Sequence, residues 1–346
     1  MFVAWRDLRF ARGRFALMGT VIVLITLLVG LLSGLTAGLA KDNTSAVTGL
    51  SADHLAFAAP PSGQSASFSG SQLPRSAWRT WAAQPGVKGA EPVAIATGNA
   101  GAGSRTAAVS SFGVRPGSGL APAEPGGRGV VLSRGAAADL GAAAGEQVTL
   151  AGRRLRVTAV AGDASYSHTP VVWTALRAGE HASVVALTTD GADIGAGDRA
   201  ARTKTLTLDG SLSALPSYQA ENGSLQLMRG FLFVISAMVI GAFFTVWTIQ
   251  RSGDIAVLKA LGASTAYLLR DALGQAVLML LAGALLGTAL AAGIGAVVPR
   301  ELPFVLDPLT AVLPAAVIVA LGVLGAGLSI RRITAVDPLT ALGSAR

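Results

Sequence analysis

The chain contains no cysteine, few lysines and few charged residues of any kind. The absence of cysteine excludes disulfides, thiolate metal sites and covalent haem attachment through Cys-x-x-Cys-His. None of the lysines follows a glycine, so the sequence contains no Gly-Lys-Ser/Thr phosphate loop. Any ATP used with this protein must therefore bind to another chain. The lysines are Lys41, Lys88, Lys204 and Lys259.

The low content of charge is accompanied by a high content of apolar residues. Charged residues make up 13% of the chain and hydrophobic residues 51%, and the mean hydropathy is +0.56. This composition excludes an ordinary soluble globule and indicates a membrane protein. The net charge of +8 fits either nucleic acid or a membrane surface. Because much of the charge flanks apolar runs, we favour the lipid bilayer and expect no nucleic-acid partner.

Four long runs carry no charge: residues 15–40, 230–250, 272–299 and 308–330. Each exceeds the roughly 20 residues that a helix needs to cross a bilayer. The lack of ionisable residues inside the runs argues against a proton relay or an ion-coupled transporter.

One run precedes a long insert and three follow it. The sequence thus predicts an integral membrane α-helical protein with four transmembrane helices in a one-plus-three layout. A large extracellular α+β domain is inserted between the first and second helices. We expect the domains to be residues 1–40, 41–222 and 223–346.

The positive charges predict the orientation. Lysine and arginine cluster in the N-terminal segment, after the second run and in the tail, whereas the loop between the third and fourth runs has only Arg300. These clusters favour the cytosol. We expect both termini to be cytosolic and residues 41–222 to be extracellular at the cell membrane.

Two alternatives concern the start of the chain. The basic N-terminal segment and the first run together resemble a cleaved signal peptide, but the run is longer than the usual core of about 7–15 residues. Residues 2–15 fit either an interfacial helix or a continuation of the first span.

Glycines recur at four-residue spacing in two of the runs. They are Gly30, Gly34 and Gly38 in the first run and Gly283 and Gly287 in the third. Such spacing lets helix backbones approach closely in lipid. It does not tell whether the contact lies within a subunit or between subunits.

The sequence of the insert predicts short strands and one short helix. β-Branched residues bounded by glycine, proline or aspartate predict strands. Ser133 and Gly141 are placed to cap a helix at its two ends, and residues 190–210 read as a loop. The histidines, His54, His168 and His181, are scattered, so we expect no metal site and no catalytic site. The predicted strands lie near 54–58 and at 93–97, 105–111, 129–132, 147–150, 155–160, 171–174 and 183–188.

A short amphipathic helix is predicted between the second and third runs, within residues 250–264. Gly262 is placed to end it, and Ser264 to cap the next helix. Held between two spans, such a helix either docks in a groove on a partner or is a solvated connector. Its apolar residues are Ile255, Leu258 and Leu261, and its charged residues are Arg251, Asp254 and Lys259.

Motifs at three places resemble one family. Residues 250–264, QRSGDIAVLKALGAS, are similar to the coupling segment "R-x-x-E-I-x-x-L-x-A-L-G-A" of FtsX/MacB-type ABC transporter permeases, with Asp254 in place of glutamate. The tail 331–342, RRITAVDPLTAL, resembles their closing "R-x-a-x-x-x-D-P-x-x-A-L", and the start 5–10, WRDLRF, resembles their approach helix. Within the family, the size, the lack of a fused ATPase and the run 242–251 most resemble HrtB-like haem-export permeases.

The resemblance implies a non-catalytic permease subunit that works by mechanotransmission. It implies a homodimer joined to two copies of a separate ATPase, which binds the ATP, with haem as the exported substrate and no permanently bound cofactor. The ATPase-coupling residues would be Arg251, Asp254, Ile255, Leu258, Lys259, Leu261 and Gly262. The alternatives are export of another amphipathic compound, such as a peptide, antibiotic or lipid, and FtsX-like regulation of cell-wall hydrolases.

A haem site would then lie where the insert enters the second span. Tyr218, Glu221 or Met228 would ligate the iron, and Arg229 would pair with a propionate. The ordinary alternative is that these residues are interfacial anchors and packing groups.

Overall fold

The computed structural model describes residues 12–250, 252–298 and 302–334. The chain divides into two compact units, one formed by Met1–Gly38 with Ser224–Arg346 and the other by Leu39–Gly223. We call the second unit the outer domain. The interfacial helix predicted at residues 2–15 falls mainly outside the described residues, as does most of the tail motif.

The elements follow one another in a simple order. The helices are α1 Arg12–Thr48, α2 Arg75–Ala82, α3 Arg134–Leu140, α4 Ile194–Ala201, α5 Pro216–Gln250, α6 Ser252–Ala260, α7 Thr265–Val297 and α8 Pro308–Thr334. The strands are β1 His54–Ala58, β2 Val87–Ala102, β3 Arg105–Val114, β4 Gly129–Leu132, β5 Gln147–Leu150, β6 Arg153–Val160, β7 Ser165–Tyr166, β8 Thr169–Ala175, β9 Val184–Thr189 and β10 Thr203–Thr207. Helices α1, α5, α7 and α8 are each long and apolar enough to cross a membrane, which confirms the four predicted spans.

The four spanning helices share one apolar core. Each contributes buried side chains that pack together, and large apolar side chains on their other faces remain exposed. This distribution suits helices that are surrounded by lipid, because an apolar outer surface is favourable there. The core residues are Met18, Ile22, Val29, Ile240, Phe244, Ala272, Ala276, Leu280, Ile318 and Ala326.

The spaced glycines bring α1 against α7. A Cβ atom at Gly283 would lie 2.6 Å from Ile22 Cγ2, and one at Gly287 would lie 2.7 Å from the carbonyl oxygen of Val23. A Cβ at Gly30 would meet Ala291 Cβ at 3.0 Å. The close helix approach predicted from the glycine spacing is thus confirmed for these three glycines, and it lies within one chain. Gly34 and Gly38 instead face the segment before α8.

The outer domain is built on a ten-stranded sheet. Its strand order is β10-β1-β9-β2-β3-β8-β4-β6-β5, with β7 paired to β8. A further pairing between β2 and β5 closes a ring of six strands, and α3 packs beside it. All pairings are antiparallel except β3 with β8 and β4 with β6. The mixture of sheet and short helices confirms the predicted α+β class.

Most local predictions in the outer domain are confirmed. The predicted strands correspond to β1–β6, β8 and β9. The Ser133 side chain accepts a hydrogen bond from the Ala136 N–H at the start of α3, and Gly141 ends the helix at φ 61°. Sequence analysis did not predict α2 or the two-residue strand β7.

The prediction of a loop at residues 190–210 is wrong. This segment contains α4 and β10, and β10 pairs with β1 along its whole length. Asp198 accepts hydrogen bonds from the hydroxyls of Thr203 and Thr205 at 2.7 and 2.6 Å. Pairing with a distant strand therefore orders a segment whose own composition favours a loop.

Candidate functional site

Polar side chains from three separate segments meet in the outer domain around His168. Asp42 and Asn43 come from the last turns of α1, His168 from the turn between β7 and β8, and Ser217 and Glu221 from the first turns of α5. We call these five residues the His168 cluster. All of them lie within the outer domain as defined above.

His168 uses both ring nitrogens in this cluster. Its Nε2 lies 2.8 Å from Glu221 Oε1 and 2.9 Å from Oε2, and its Nδ1 lies 3.2 Å from Asp42 Oδ2. Asn43 donates to Glu221 Oε2 at 3.4 Å and accepts from the Ser217 hydroxyl at 3.1 Å. The imidazole thus bridges a carboxylate on α1 and a carboxylate on α5.

The pKa of His168 is raised above its ordinary value. Partial burial lowers this pKa, but hydrogen bonds and charge interactions with Glu221 and Asp42 together outweigh the burial. A raised pKa favours the imidazolium, which donates from both nitrogens and suits two carboxylate partners. The two carboxylates therefore extend upward the pH range over which the His168 imidazolium persists.

The turn that presents His168 has an unusual backbone. Tyr166 pairs with Thr169, so Ser167 and His168 form a two-residue hairpin loop, and their φ angles are 50° and 61°. Loops of this kind favour Asn-Gly because both central residues need positive φ. Here the Ser167 N–H donates to the Asn43 carbonyl at 2.9 Å, which fixes the hairpin to α1.

The cluster does not form a metal site. Among the described residues, no group of three or more histidine, cysteine, aspartate or glutamate side chains is arranged to hold a metal ion. Asp42 and Glu221 lie at different ring nitrogens of His168, so the two carboxylates do not converge on a common point.

The four residues predicted to bind haem all lie on α5. Glu221 has both carboxylate oxygens against His168, while Tyr218 packs beside the outer-domain core and lines a shallow depression. The Met228 side chain is 50% exposed. The Arg229 guanidinium lies 5.9 Å from the centre of the Phe233 ring, within cation–π range. Tyr218 and Glu221 belong to the outer domain, whereas Met228 and Arg229 belong to the other unit.

The coupling segment forms the predicted short helix. Gly262 adopts φ 94°, and its N–H donates to the Lys259 carbonyl at 2.9 Å, so it ends α6 as expected. The Ser264 hydroxyl accepts from the Tyr267 N–H at 3.3 Å and caps α7, which confirms the second prediction. Leu261 is 79% exposed, and Leu258 is half-buried. Arg251 and the side chains of Asp254 and Ile255 lie outside the described residues.

A second polar feature of the outer domain was not predicted. A cleft of about 590 Å³ lies between α2, β2 and the loop after β8. Its charged lining comprises Arg75, Arg79, Lys88, Arg115, Arg177, Glu91 and Glu180. Arg115 pairs with Glu91 at 2.5 Å and Arg177 with Glu180 at 3.0 Å. None of the residues predicted to bind haem lines this cleft.

Sequence reasoning missed the roles of Asp42, Asn43 and His168. No local pattern links them, because His168 is 126 residues from Asp42 and 53 residues from Glu221. The one available signal was the Tyr-Ser-His-Thr turn between β-branched stretches, which reads as a hairpin without indicating a partner. The fold alone brings these residues together.

The architecture defines a multi-pass membrane protein with an extracellular domain between its first and second spanning helices. The profile of the MacB-like periplasmic core domain matches residues 16–204, and that of the FtsX-like permease C-terminal domain matches residues 227–338. Because these profiles cover most of the sequence, the chain belongs to the MacB/FtsX family of ABC transporter permeases.

Individual relatives resemble different portions of the chain. HrtB of Staphylococcus epidermidis, whose name describes a hemin transport system permease protein, is 31% identical over 140 residues, and the match spans 40% of either chain. An uncharacterised ABC transporter permease of Mycobacterium bovis is 26% identical over 372 aligned positions, 99% of each chain. The crystal structure of the periplasmic region of MacB from Actinobacillus actinomycetemcomitans has a TM-score of 0.36 and 13% identity, covering 47% of this chain and 92% of that one.

Proposed function

We propose that this permease exports haem from the membrane by mechanotransmission, as a homodimer joined to two copies of a separate ATPase. The observation that carries the haem proposal is the 31% identity with the hemin transport permease HrtB. The placement of positive charge supports cytosolic termini, with the outer domain on the extracellular side. ATP would bind to the ATPase, because this sequence has no phosphate loop.

Helix α6 is the proposed docking element for the ATPase. It is short, and the segment after it is fixed by the Gly262 turn and the Ser264 cap. Leu261 and Val257 are 79% and 56% exposed. Exposed apolar side chains on a rigid, cytosolic element suit insertion into a groove on a partner.

Helix α5 is the proposed transmission element. It runs without interruption from Pro216 to Gln250, a length of about 52 Å at 1.5 Å per residue. One residue separates Gln250 from the start of α6 at Ser252, while Tyr218 and Glu221 near the other end of α5 belong to the outer domain. A displacement of α6 on ATP binding would therefore be passed along a single helix.

Haem fits this proposal chemically. It is flat and largely apolar, with two carboxylates, so its binding calls for an iron ligand, apolar surface and a cation. Met228 offers an exposed thioether and Arg229 a guanidinium, whereas Glu221 would have to exchange His168 for iron. Tyr218 is the remaining candidate ligand on the helix.

The proposal is tested with the permease and its ATPase reconstituted in lipid nanodiscs. Haem is titrated while the Soret band and the rate of ATP hydrolysis are recorded. We expect a saturable Soret shift and a changed ATP turnover. Met228→Ala and Glu221→Gln should weaken the shift, whereas Leu227→Ala, an exposed neighbour on the same helix, should not.

The alternatives predict different outcomes of the same experiment. A rate of ATP hydrolysis that does not change as haem is added would contradict haem export and point to another amphipathic substrate. Recovery of a cell-wall hydrolase bound to the outer domain, again without a haem response, would support an FtsX-like regulator. A normal Soret shift in both site variants would remove Met228 and Glu221 as ligands while leaving haem as substrate.

A further inference from the structure

His168 joins two helices that are far apart in the sequence. Its ring contacts Asp42 on α1 and Glu221 on α5, and Asn43 and Ser217 connect the same two helices directly at 3.1 Å. The hairpin that carries His168 is itself tied to α1, because Ser165 N–H donates to the Ser45 hydroxyl at 2.9 Å. The β7–β8 turn thus has anchors on both helices.

The backbone conformation of the β7–β8 turn indicates that its contacts hold His168 in place. Ser167 and His168 both adopt positive φ, which is uncommon for residues other than glycine, although histidine, like asparagine and aspartate, adopts it more readily than serine. Such conformations persist only where the surroundings fix them. Here, the surroundings are the hydrogen bonds to α1 and α5, and an ionic bridge can break and re-form without repacking a core.

We propose that His168 is a positioning residue that clamps the carboxyl end of α1 to the amino end of α5, so that the outer domain follows both helices together. This proposal rests on mechanotransmission as the working mode. Without the bridge, the Asn43–Ser217 contact and the anchors of α1 in the outer domain remain, so a displacement of α5 would pass to α1 less fully. ATP hydrolysis would then continue, but it would drive export less efficiently.

The clamp is tested first in the permease alone, independently of any substrate. The chain has no cysteine, so Lys41→Cys and Gly223→Cys place spin labels at the exposed ends of α1 and α5 without background labelling. We expect a narrow distance distribution in the labelled parent and a broad one after His168→Ala. His181→Ala, which removes a histidine from the outer cleft, should leave the distribution narrow.

Further variants separate the bridge from folding of the turn. His168→Asn keeps a residue that tolerates positive φ but cannot reach both carboxylates, so it should broaden the distribution as His168→Ala does. The double variant Asp42→Asn, Glu221→Gln keeps the turn and weakens the bridge from the other side. If all of these variants retain the narrow distribution, the clamp is refuted.

Coupling is tested next with the ATPase in lipid vesicles. His168→Ala should lower haem release per ATP hydrolysed about tenfold, a typical coupling between sites, while ATP turnover stays near that of the parent. Adding Asn43→Cys and Ser217→Cys, whose parent side chains touch, allows an oxidative link between the same helices. The link should restore coupling if His168 acts by holding them together.

The two proposals fail in different ways. If the parent complex does not release haem, haem export fails, and coupling is read instead from the ATP-dependent change in the label distance. If the parent releases haem and His168→Ala releases it equally well per ATP, the clamp fails and haem export stands. If His168→Ala abolished both ATP hydrolysis and haem release while the spin-label distance distribution stayed narrow, the clamp would also be contradicted.

Discussion

Replacing Gly287 by alanine should loosen the packing of α1 against α7. A Cβ atom at this position would lie 2.7 Å from Thr26 Cβ and 2.7 Å from the Val23 carbonyl oxygen. Ordinary contact begins at 3.4 Å, so the new methyl group is about 0.7 Å too close on both sides. Because one of the two obstacles is backbone, α1 itself must shift.

The expected cost follows from overpacking in a closely packed site. Extra methyl groups in such sites cost about 1–3 kcal/mol, and the backbone obstacle places Gly287→Ala toward the upper end. Alanine also favours helix over glycine by about 0.5–1 kcal/mol, which partly offsets the cost. Gly293 lies on the same helix with open space around its Cβ position, so Gly293→Ala gains the same propensity without the clash.

The difference between the two variants therefore isolates the packing effect. We expect Gly287→Ala to be less stable than Gly293→Ala by about 1–3 kcal/mol in the free energy of unfolding. Unfolding by sodium dodecyl sulfate in mixed micelles, followed by circular dichroism, measures this difference. Equal stability of the two variants would show that α1 and α7 do not pack through Gly287.

Three further predictions concern other parts of the chain. Because the pKa of His168 is raised, its pairing with the carboxylates stabilises the fold fully below the unfolded pKa of about 6.5, and this contribution is lost as pH rises through the folded pKa. The melting temperature should therefore fall over that pH range. His168→Asn should flatten the dependence of the melting temperature on pH. Gly197→Ala should destabilise the full chain by about 1–3 kcal/mol in thermal melts, because its Cβ would collide with the Trp81 ring, whereas Gly98→Ala, with open space, should not. Leu261→Glu should weaken ATPase binding by about 10- to 100-fold in biolayer interferometry, because the exposed leucine would no longer be buried against the partner. Unchanged binding would remove α6 as the docking element.

The membrane part was predictable because its signals are local. Long uncharged runs define the spans without reference to the rest of the chain. The end of α6 at Gly262 and the cap of α7 at Ser264 are also local, since each depends on one residue and its immediate neighbours. The family likewise followed from motifs within the chain, whereas the orientation of the termini and the homodimer stay predictions.

The outer domain shows where local signals are insufficient. Residues 190–210 contain several glycines, which lower the propensity for both helix and strand. The structure orders them because Gly197 leaves room for Trp81, whose indole N–H donates to Thr203 at 3.0 Å. Trp81 and Thr203 are 122 residues apart, so this contact has no local signature. The same holds for the His168 cluster.

The two kinds of contact suit different tasks in the proposed cycle. In the spanning helices, the Ser236 and Thr248 hydroxyls donate to carbonyls of their own helix, and α1 meets α7 through glycine backbone rather than through charge. Contacts of this kind are steric and resist graded change. The His168 cluster is polar and partly exposed, so its partners can exchange at a smaller structural cost. We therefore expect Gly287→Ala to lower stability in the absence of ATP, and His168→Ala to act mainly on the coupling between ATP hydrolysis and export. If Gly287→Ala changed only coupling, or His168→Ala changed only stability, this division between steric and polar contacts would be wrong.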